Sequence, residues 1–279
     1  MVPAHVIDAA IRKMVAEISF HLDTEVLVAI QDACQRERNP LARDILQALV
    51  ENSRIAAREH IPLCQDTGTA LLFIELGAEV FIDGPPLPDI VNNAIRSAWK
   101  DHYLRASIAS DPLFQRQNTL DNTPAVLHVE IVSGDRIHLC LAQKGGGAEN
   151  MSALHLLAPS FEPAKLIDLV VDTIKEAGGK PCPPLIVGIG IGGNFETCAL
   201  LAKKALFLPL HHHNPDIQYA ALEADILKAL NGSDVGPQGL GGDTTALAVH
   251  ILQAPCHIAS LPVAINLQCH AHRHACMEI

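Results

Sequence analysis

The feature that most constrains the fold is an apolar run at residues 185–191, LIVGIGI, which has no polar or charged side chain. Such a short, continuous apolar run predicts a buried strand. After it, the pattern predicts helices near 195–206 and 216–231, and then two more strands, TALAVHIL at 245–252 and LPVAINL at 261–267. Strands and helices mixed in this order indicate an α/β fold.

The first 60 residues predict a different arrangement. Apolar residues recur at helical spacing over 5–58, with a second helix starting at Asp23 or Thr24 and a third at Pro40. We therefore expect one domain over 1–279, with a helical cap over about 1–60 and a mixed α/β body over about 61–279, in which a mixed sheet is flanked by helices.

Between these regions the pattern predicts three further features. Strands are expected at 70–76 and 78–82, followed by a helix over 89–105. A hairpin is predicted from VLHVEIV at 126–132 and RIHLCLA at 136–142, because Ser133, Gly134 and Asp135 form a turn-like connection. After the glycines at 145–147 the pattern becomes helical again to about residue 177.

The composition limits the partners and the location. Charged residues make up 18% of the chain, below the roughly 25% of an average soluble domain, and apolar types reach 49%. This balance predicts apolar surface buried in a subunit interface. The net charge of −11 argues against a nucleic-acid partner, which needs a basic surface. Without a signal peptide or a membrane-spanning run, we expect a cytoplasmic protein with no membrane partner.

Eight cysteines are present, and their spacing along the chain does not by itself select a ligand set. In a reducing compartment disulfides are not expected, and the lack of a CxxC pair excludes zinc ribbons and thioredoxin-like motifs. Cys34, Cys140 and Cys198 lie in apolar periodic runs and are predicted to be small buried hydrophobes. Cys64, in CQDTG at 64–68, and Cys182, between two prolines, lie in contexts that suit a ligand.

A first glycine motif supports an alternative function from another class of enzyme. Gly188, Gly190 and Gly193 satisfy GxGxxG after a strand and before a helix, as in a nucleotide-binding oxidoreductase. That fold also requires an acidic residue at the end of a second strand about 20 residues later, where this chain reads LPLHHHNPD. Close strand–helix packing, or a backbone approaching a buried cofactor, explains the same glycines.

A second glycine cluster, KGGGAENMS at 144–152, predicts an anion site. Consecutive glycines before a helix start expose backbone N–H groups that suit a carboxylate, and Lys144 adds positive charge. The polar residues Glu149, Asn150 and Ser152 favour a binding site over a flexible loop. No Lys-Ser/Thr pair follows the glycines, so the cluster is not a P-loop.

Two histidine-rich segments suggest metal binding less clearly. The HHH run at 211–213 is bounded by prolines and is predicted to be a solvated loop, because adjacent side chains point in different directions. The tail CHAHRHAC at 269–276 leaves open a non-catalytic zinc subunit. Alternate residues on a strand are, however, poorly placed for a tetrahedral site.

Several blocks together resemble the α subunit, or N-terminal half, of class I iron–sulfur fumarate hydratase. They are CQDTG, DNTP at 121–124, KGGGAENMS, CPPLIVGIGIGGNFE at 182–196, GPQGLGGDTTA at 236–246 and HIASLPVAINLQCHAHRH at 257–274. The resemblance runs in order over almost the entire chain. The wider family that it indicates includes L-tartrate dehydratases.

The resemblance implies a 4Fe-4S cluster held by Cys64, Cys182 and Cys269. With only three protein ligands, the fourth iron is free to act as a Lewis acid on a substrate carboxylate and on the leaving hydroxyl. No role is implied for Cys256 or Cys276. The residues expected at the substrate are Gln65, Asp66, Arg105, Gly147, Asn150 and His257, together with Lys144 of the glycine cluster.

The resemblance also implies what this chain lacks. The base that removes the C–H proton belongs to the family's C-terminal half, which two-subunit forms carry on a separate β chain. We therefore expect a hydro-lyase that is active only with a β subunit, and a second α copy in an α2β2-like assembly. The expected reaction is reversible hydration of fumarate to (S)-malate, with L-tartrate or mesaconate as the alternative substrate.

Overall fold

The computed structural model describes residues 1–279 and confirms a mixed α/β fold with helices at the N-terminus. The helices are α1 (Ala4–Phe20), α2 (Thr24–Arg36), α3 (Pro40–Glu59), α4 (Leu87–Asp101), α5 (Gly146–Glu149), α6 (Lys165–Ala177), α7 (Phe195–Ala205) and α8 (Ile217–Asn231). The strands are β1 (Val2–Pro3), β2 (Thr69–Gly77), β3 (Ile82–Asp83), β4 (Val126–Val132), β5 (Ile137–Lys144), β6 (Ala153–Leu157), β7 (Leu185–Gly193), β8 (Ala246–Cys256), β9 (Leu261–Gln268) and β10 (His274–Glu278). None of the helices combines the length and the hydrophobicity needed to cross a bilayer.

The chain divides into two compact units. Unit 1 comprises Met1–Asp23, Ser53–Gly146 and Arg273–Ile279, and unit 2 comprises Thr24–Asn52 and Gly147–His272. Each unit contains one four-stranded sheet, in the order β10-β5-β2-β4 in unit 1 and β6-β9-β7-β8 in unit 2. That the whole chain is a single domain stays a prediction.

In unit 1, helices α1 and α4 pack on one face of the sheet. Alternate residues of the central strands, such as Leu72 and Ile74 on β2 and Leu139 on β5, join Ile11 and Trp99 of these helices in one core. Because side chains alternate along a strand, the residues between them point to the opposite face. That face carries polar and sulfur-containing side chains and is described below.

In unit 2, the predicted strand at 185–191 is β7, a central and almost fully buried strand. One face of the sheet packs against α6 and α8, and its core includes Val187 and Ile189. The other face receives α7, which lies so close that a Cβ at Gly188 would stand 2.2 Å from the Ala202 carbonyl oxygen. Strand–helix packing thus accounts for the first two glycines of GxGxxG.

The predicted hairpin is wrong, although both of its strands exist. Strands β4 and β5 do not pair with each other, because β2 lies between them, parallel to β4 and antiparallel to β5. The end of β2 enters the connection between them: Gly77 N–H donates to Arg136 O at 2.9 Å and Ala78 N–H donates to Val132 O at 2.7 Å. Alternation identified the strands but carries no information on their order in the sheet.

Other boundaries also differ from the sequence prediction. The strand predicted at 78–82 is mostly a turn, of which only β3 pairs, with β1. Helix α4 ends at Asp101 rather than at 105, and strand β6 interrupts the region predicted to be helical up to 177. Strand β10 was not predicted, because its sequence, HACME, does not alternate between polar and apolar residues.

The expectation of no disulfides is corrected as well. Cys140 on β5 and Cys276 on β10 form a disulfide, with their Cα atoms 4.1 Å apart. They face each other directly in the antiparallel register of the two strands. Cys140 is therefore a bonded, half-buried residue of the outer sheet face and not a small hydrophobe of the core. Cys198, with no exposed surface, is buried as predicted.

Candidate functional site

The structure distinguishes the cysteines that can act as ligands from those that cannot. Cys198 is fully buried, and burial raises the pKa of its thiol, which disfavours the thiolate. Cys64, Cys182 and Cys269 form no disulfide and are half-buried, and they lie in loops outside the helices and strands. Thiols with partial solvent access fit the role of cluster ligands.

Two of the three predicted cluster ligands lie at the same edge of the unit 2 sheet. Cys182 comes just before β7, and Cys269 comes just after β9, which runs antiparallel to β7 with Gln268 opposite Ile186. The backbone N–H of His270 donates to the Cys182 carbonyl oxygen at 3.4 Å. The chain fold therefore brings these two cysteine segments together, although they are far apart in the sequence.

Gln238 and His270 connect these cysteine segments to a third loop. Gln238 donates to Pro183 O through its backbone N–H at 2.9 Å and through Nε2 at 2.8 Å. His270 Nδ1 lies 3.0 Å from Cys182 O and 3.2 Å from Gln238 Nε2. When His270 carries its proton on Nδ1, this nitrogen donates to Cys182 O. When His270 carries its proton on its own Nε2, Nδ1 instead accepts from the Gln238 amide.

Backbone strain marks the same place. Cys182 and Gln238 both have positive φ, at 57° and 54°, a conformation that side chains other than glycine rarely adopt. Two such residues in contacting loops indicate a functional site. Sequence reasoning missed Gln238, although the signal was present: it is the one polar side chain between glycines in the GPQGLGG block.

The third predicted ligand, Cys64, belongs to unit 1. Next to it, the Asp66 carboxylate accepts from Gly68 N–H at 3.0 Å through Oδ1 and from Gly146 N–H at 2.8 Å through Oδ2. Asp66 thus ties the CQDTG turn to the glycine cluster. Gly68, at φ 72°, must be glycine, because a Cβ would stand 2.7 Å from the backbone of Lys144.

This contact changes the interpretation of the glycine cluster. One of its N–H groups binds the protein's own carboxylate, and α5, with four residues, is too short for a substantial helix dipole. Gly147 has another reason to lack a side chain, since a Cβ there would stand 2.8 Å from Lys180 O. The cluster therefore serves first as a close-packing element, and a carboxylate site there stays a prediction.

Arg105 is held through its backbone while its side chain remains exposed. Thr67 Oγ1 donates to Arg105 O at 2.6 Å, and Trp99 Nε1 donates to Thr67 Oγ1 at 3.3 Å. The fully buried Asn122 donates to Gly68 O at 3.1 Å and accepts from Ser107 N–H at 2.8 Å. Unit 1 thus positions the Arg105 segment beside the CQDTG turn, and the Arg105 guanidinium forms no ion pair with this chain.

A polar cluster in unit 2 was also missed by sequence reasoning. Glu149, after the glycines, forms an ion pair with Lys203 of α7. Asn266 of β9 donates to Glu149 Oε2 at 3.1 Å and to Ser152 Oγ at 2.9 Å. These bonds fix the segment that carries the predicted substrate residue Asn150, whose own side chain is exposed.

His257 lies far from Cys182 and Cys269, the two predicted cluster ligands of unit 2. It follows the end of β8, which pairs in parallel with β7 so that Cys256 is opposite Gly193, whereas Cys182 precedes the start of β7. The nine residues of β7 span roughly 30 Å at about 3.3 Å per residue. His257 is exposed, and its Nδ1 accepts from Ala259 N–H at 3.1 Å. One chain therefore does not bring His257 to Cys182 and Cys269.

Two other features are separate from the predicted residues. An apolar cavity of about 430 Å³ in unit 2 is lined by residues such as Phe161, Tyr219 and Leu222 and contains none of the predicted ligands. In the HHH run, His211 and His213 are exposed as predicted, while His212 is half-buried near His250.

Comparison with known proteins gives a consistent result over the whole chain. The profile of the fumarate hydratase (Fumerase) family matches residues 8–278. A Methanocaldococcus jannaschii protein described as "Putative L(+)-tartrate dehydratase subunit alpha" is 38% identical over 268 residues, 94% of each chain. The L(+)-tartrate dehydratase subunit alpha of Escherichia coli K12 is 29% identical over 268 residues, 95% of this chain and 88% of its own. The same description and values hold for a Shigella boydii serotype 4 protein.

Proposed function

The chain belongs to the fumarate hydratase family, and on that basis we propose that it is the cluster-bearing α subunit of a hydro-lyase for a small dicarboxylate. The observation that carries this proposal is the convergence of the Cys182 and Cys269 segments at one edge of the unit 2 sheet. The two cysteine segments converge there beside the strained backbone of Cys182 and Gln238, which is the setting expected of a preorganised ligand site.

The proposed cofactor is a 4Fe-4S cluster with Cys64, Cys182 and Cys269 as its ligands. The donor set fits, because these three cysteines form no disulfide, are half-buried and lie outside regular elements. When bound, such a cluster supplies a Lewis-acidic iron that polarises the substrate and stabilises the departing hydroxide. His270 and Gln238 hold the backbone around Cys182 and thereby fix the orientation of that ligand.

The residues of unit 1 are proposed to bind the substrate. Arg105 offers a guanidinium free of ion pairs, which suits bidentate recognition of a carboxylate. Gln65 is exposed beside Cys64 and accepts from its thiol at 3.5 Å. Asp66 accepts two backbone N–H groups, so its proposed role is to position the turn rather than to abstract a proton. Lys144, Gly147 and Asn150 stay substrate contacts by prediction.

A β-type partner chain is proposed to supply the catalytic base. Similar proteins are described as alpha subunits, which supports the existence of such a partner. The position of His257 at the opposite end of β7 supports the second predicted α copy: if this residue contacts substrate, it does so in the site of another subunit.

Two substrates are candidates. The sequence blocks favour fumarate, hydrated reversibly to (S)-malate. The descriptions of the similar proteins favour L-tartrate, which would lose water to oxaloacetate in its enol form. Both reactions place a hydroxyl next to a carboxylate and need the same Lewis acid and base, so the chain's own residues support the reaction class more strongly than either substrate.

The substrate is tested by co-expressing the chain with its β partner under anaerobic conditions. Dehydration of three substrates is then compared by kcat/KM: (S)-malate, L-tartrate and the hydroxy acid that forms mesaconate by loss of water. Preference for malate supports fumarate hydratase, and preference for tartrate supports the second candidate. No dehydration of any of the three by an iron-loaded complex would overturn the proposed function.

The ligand set is tested by single alanine variants of the full chain, purified anaerobically and assayed for iron and sulfide. We expect Cys64→Ala, Cys182→Ala and Cys269→Ala to lose the cluster, whereas Cys34→Ala and Cys256→Ala retain it. Cys256 is the matched control, because it is also a free cysteine outside the protein interior. Equal iron content in all five variants would exclude the assignment.

A further inference from the structure

A second group of metal-binding residue types lies on the outer face of the unit 1 sheet. His138 and Cys140 alternate on β5, and Cys276 faces Cys140 on β10. The neighbours Ile137, Leu139 and Met277 point into the core instead. The potential ligand atoms of His138, Cys140 and Cys276 all lie within 4.8 Å of one another.

The strand geometry explains this closeness. Ile137 and Ile279 exchange both backbone hydrogen bonds at 2.9 Å, so the pairs in the antiparallel ladder alternate from there. Cys140 and Cys276 therefore occupy a non-hydrogen-bonded pair, in which Cα atoms approach to about 4.5 Å and side chains come closest. Their observed Cα separation is 4.1 Å.

The residue types match one class of metal ion. Two thiolates and one imidazole are the ligands of tetrahedral zinc-type sites, with the fourth position left for water or a carboxylate. Residues i and i+2 of a strand share a face and are spaced to reach the same ion. Glu75, opposite His138 on β2, has its Oε2 3.8 Å from His138 Nδ1 and is placed to orient the imidazole.

We propose that Cys140, Cys276 and His138 form a redox-gated site for a divalent cation of the zinc class. In the reduced state the two thiols release their protons to the solvent, and the two thiolates bind the cation together with the imidazole. A small disulfide compound oxidises the two thiolates by thiol–disulfide exchange: the Cys140–Cys276 bond forms, the compound leaves as two thiolates, and the cation is released. A dithiol reductant reverses the exchange and is itself oxidised to a disulfide.

The site revises the role of the histidine-rich tail. The tail contributes one ligand, Cys276 on β10. The other two come from β5, where Cys140 lies 136 residues before Cys276 in the sequence. None of the three residues belongs to the predicted cluster ligands, so this inference does not depend on the proposed function.

The probe is Co²⁺ alone, added anaerobically to the full-length chain after reduction with a phosphine and removal of the reductant. The chain carries Cys182→Ala and Cys269→Ala, which remove competing thiolates, and a parallel titration uses the cluster-loaded wild type. We expect one equivalent of Co²⁺ to bind, with a thiolate-to-cobalt band and the visible spectrum of tetrahedral cobalt. Addition of oxidised glutathione should release it and protect two thiols from alkylation.

Variants decide whether the assigned residues are responsible. Cys276→Ala should abolish the thiolate band, as should Cys140→Ala, whereas Cys256→Ala should leave it unchanged. His138→Ala should weaken binding by more than the roughly 10–100-fold expected from loss of an orienting partner in Glu75→Gln. A reduced chain that binds no Co²⁺, or an unchanged band in Cys276→Ala, would overturn the site and leave a structural disulfide only. Iron content and hydro-lyase activity report separately on the proposed function.

Discussion

The two four-stranded sheets differ in how their own units cover their faces. In unit 2, α6 and α8 pack on one face and α7 on the other, so that β7 is buried almost throughout. In unit 1, α1 and α4 pack on the same face, and the opposite face carries His138, Cys140 and Cys276. The unit 2 sheet is a scaffold that holds loops at the ends of its strands, whereas the unit 1 sheet presents side chains from one of its faces.

This difference explains where chemistry is placed in each unit. In unit 2 two predicted cluster ligands lie beyond the strand ends, where the segments of Cys182, Cys269 and Gln238 meet. Cys269 follows the carboxyl end of β9 and Cys182 precedes the amino end of β7, because the two strands are antiparallel. In unit 1, by contrast, the face opposite α1 and α4 holds potential ligands on adjacent strands, with spacing set by the pleat and the register.

The largest expected effect comes from disturbing the two-sided packing of unit 2. In Gly190→Ala, the new Cβ would stand 2.0 Å from the Cys198 carbonyl oxygen, so α7 must move away from β7. We expect the free energy of unfolding to fall by more than about 3 kcal/mol, the upper range for overpacking. Gly232→Ala is the matched control, because its Cβ would meet nothing closer than 3.5 Å. Urea unfolding of both variants measures the difference, and equal stabilities would contradict the packing explanation.

The difference between the two sheets also explains how much of the fold can be predicted from the sequence. The continuous apolar run at 185–191 is unambiguous, because a strand buried on both faces must be apolar throughout. The alternating segments of unit 1 were also recognised as strands. Their pairing was not, because the hydrogen bonds that insert β2 between β4 and β5 link residues distant in sequence. Strand β10 was missed since its sequence does not alternate between polar and apolar residues.

The candidate site was also predictable only in part. Local context favoured Cys64 and Cys182, and the family blocks added Cys269. The contacts of His270 and Gln238 with the Cys182 loop were not predictable, because they depend on the antiparallel register of β7 and β9. The pairing of Cys140 with Cys276 was likewise hidden, and the expectation of a reducing compartment argued against it. Residue types are evident from the local sequence, whereas partners are set by register.

A second expected effect concerns a buried histidine of unit 2. His250 on β8 is 1% exposed, and neither of its ring nitrogens has a hydrogen-bond partner. Burial, followed by the nearby His212 and His213, lowers the pKa of His250 from 6.5 to about 4. The folded chain therefore keeps this imidazole neutral at pH values where the unfolded chain protonates it.

The sign of the pH effect follows from this shift. Stability is fully present above pH 6.5 and falls as the pH drops from 6.5 to about 4, by about 3 kcal/mol at roughly 1.4 kcal/mol per pKa unit. In His250→Leu that part of the loss should disappear, while His5→Gln, at an exposed position on α1, should behave as the wild type. Unfolding free energies measured across this pH range give the test, and parallel curves for wild type and His250→Leu would refute it.

The smallest of these effects lies in unit 1, in the loop that links the Arg105 segment to the CQDTG turn. Asn122→Ala leaves the buried Gly68 O without its partner and also removes the acceptor of the part-buried Ser107 N–H bond, so we expect a loss of about 2 kcal/mol. Asn118→Ala, a matched control, removes bonds to Ala106 O and Leu120 N–H at an exposed position and should cost less than about 1 kcal/mol, because water replaces them. If Asn122 also positions Arg105, the assembled hydro-lyase should show a raised KM in Asn122→Ala, with a smaller change in kcat. Equal stability and equal KM in the two variants would show that burial of Asn122 does not set the geometry of this loop.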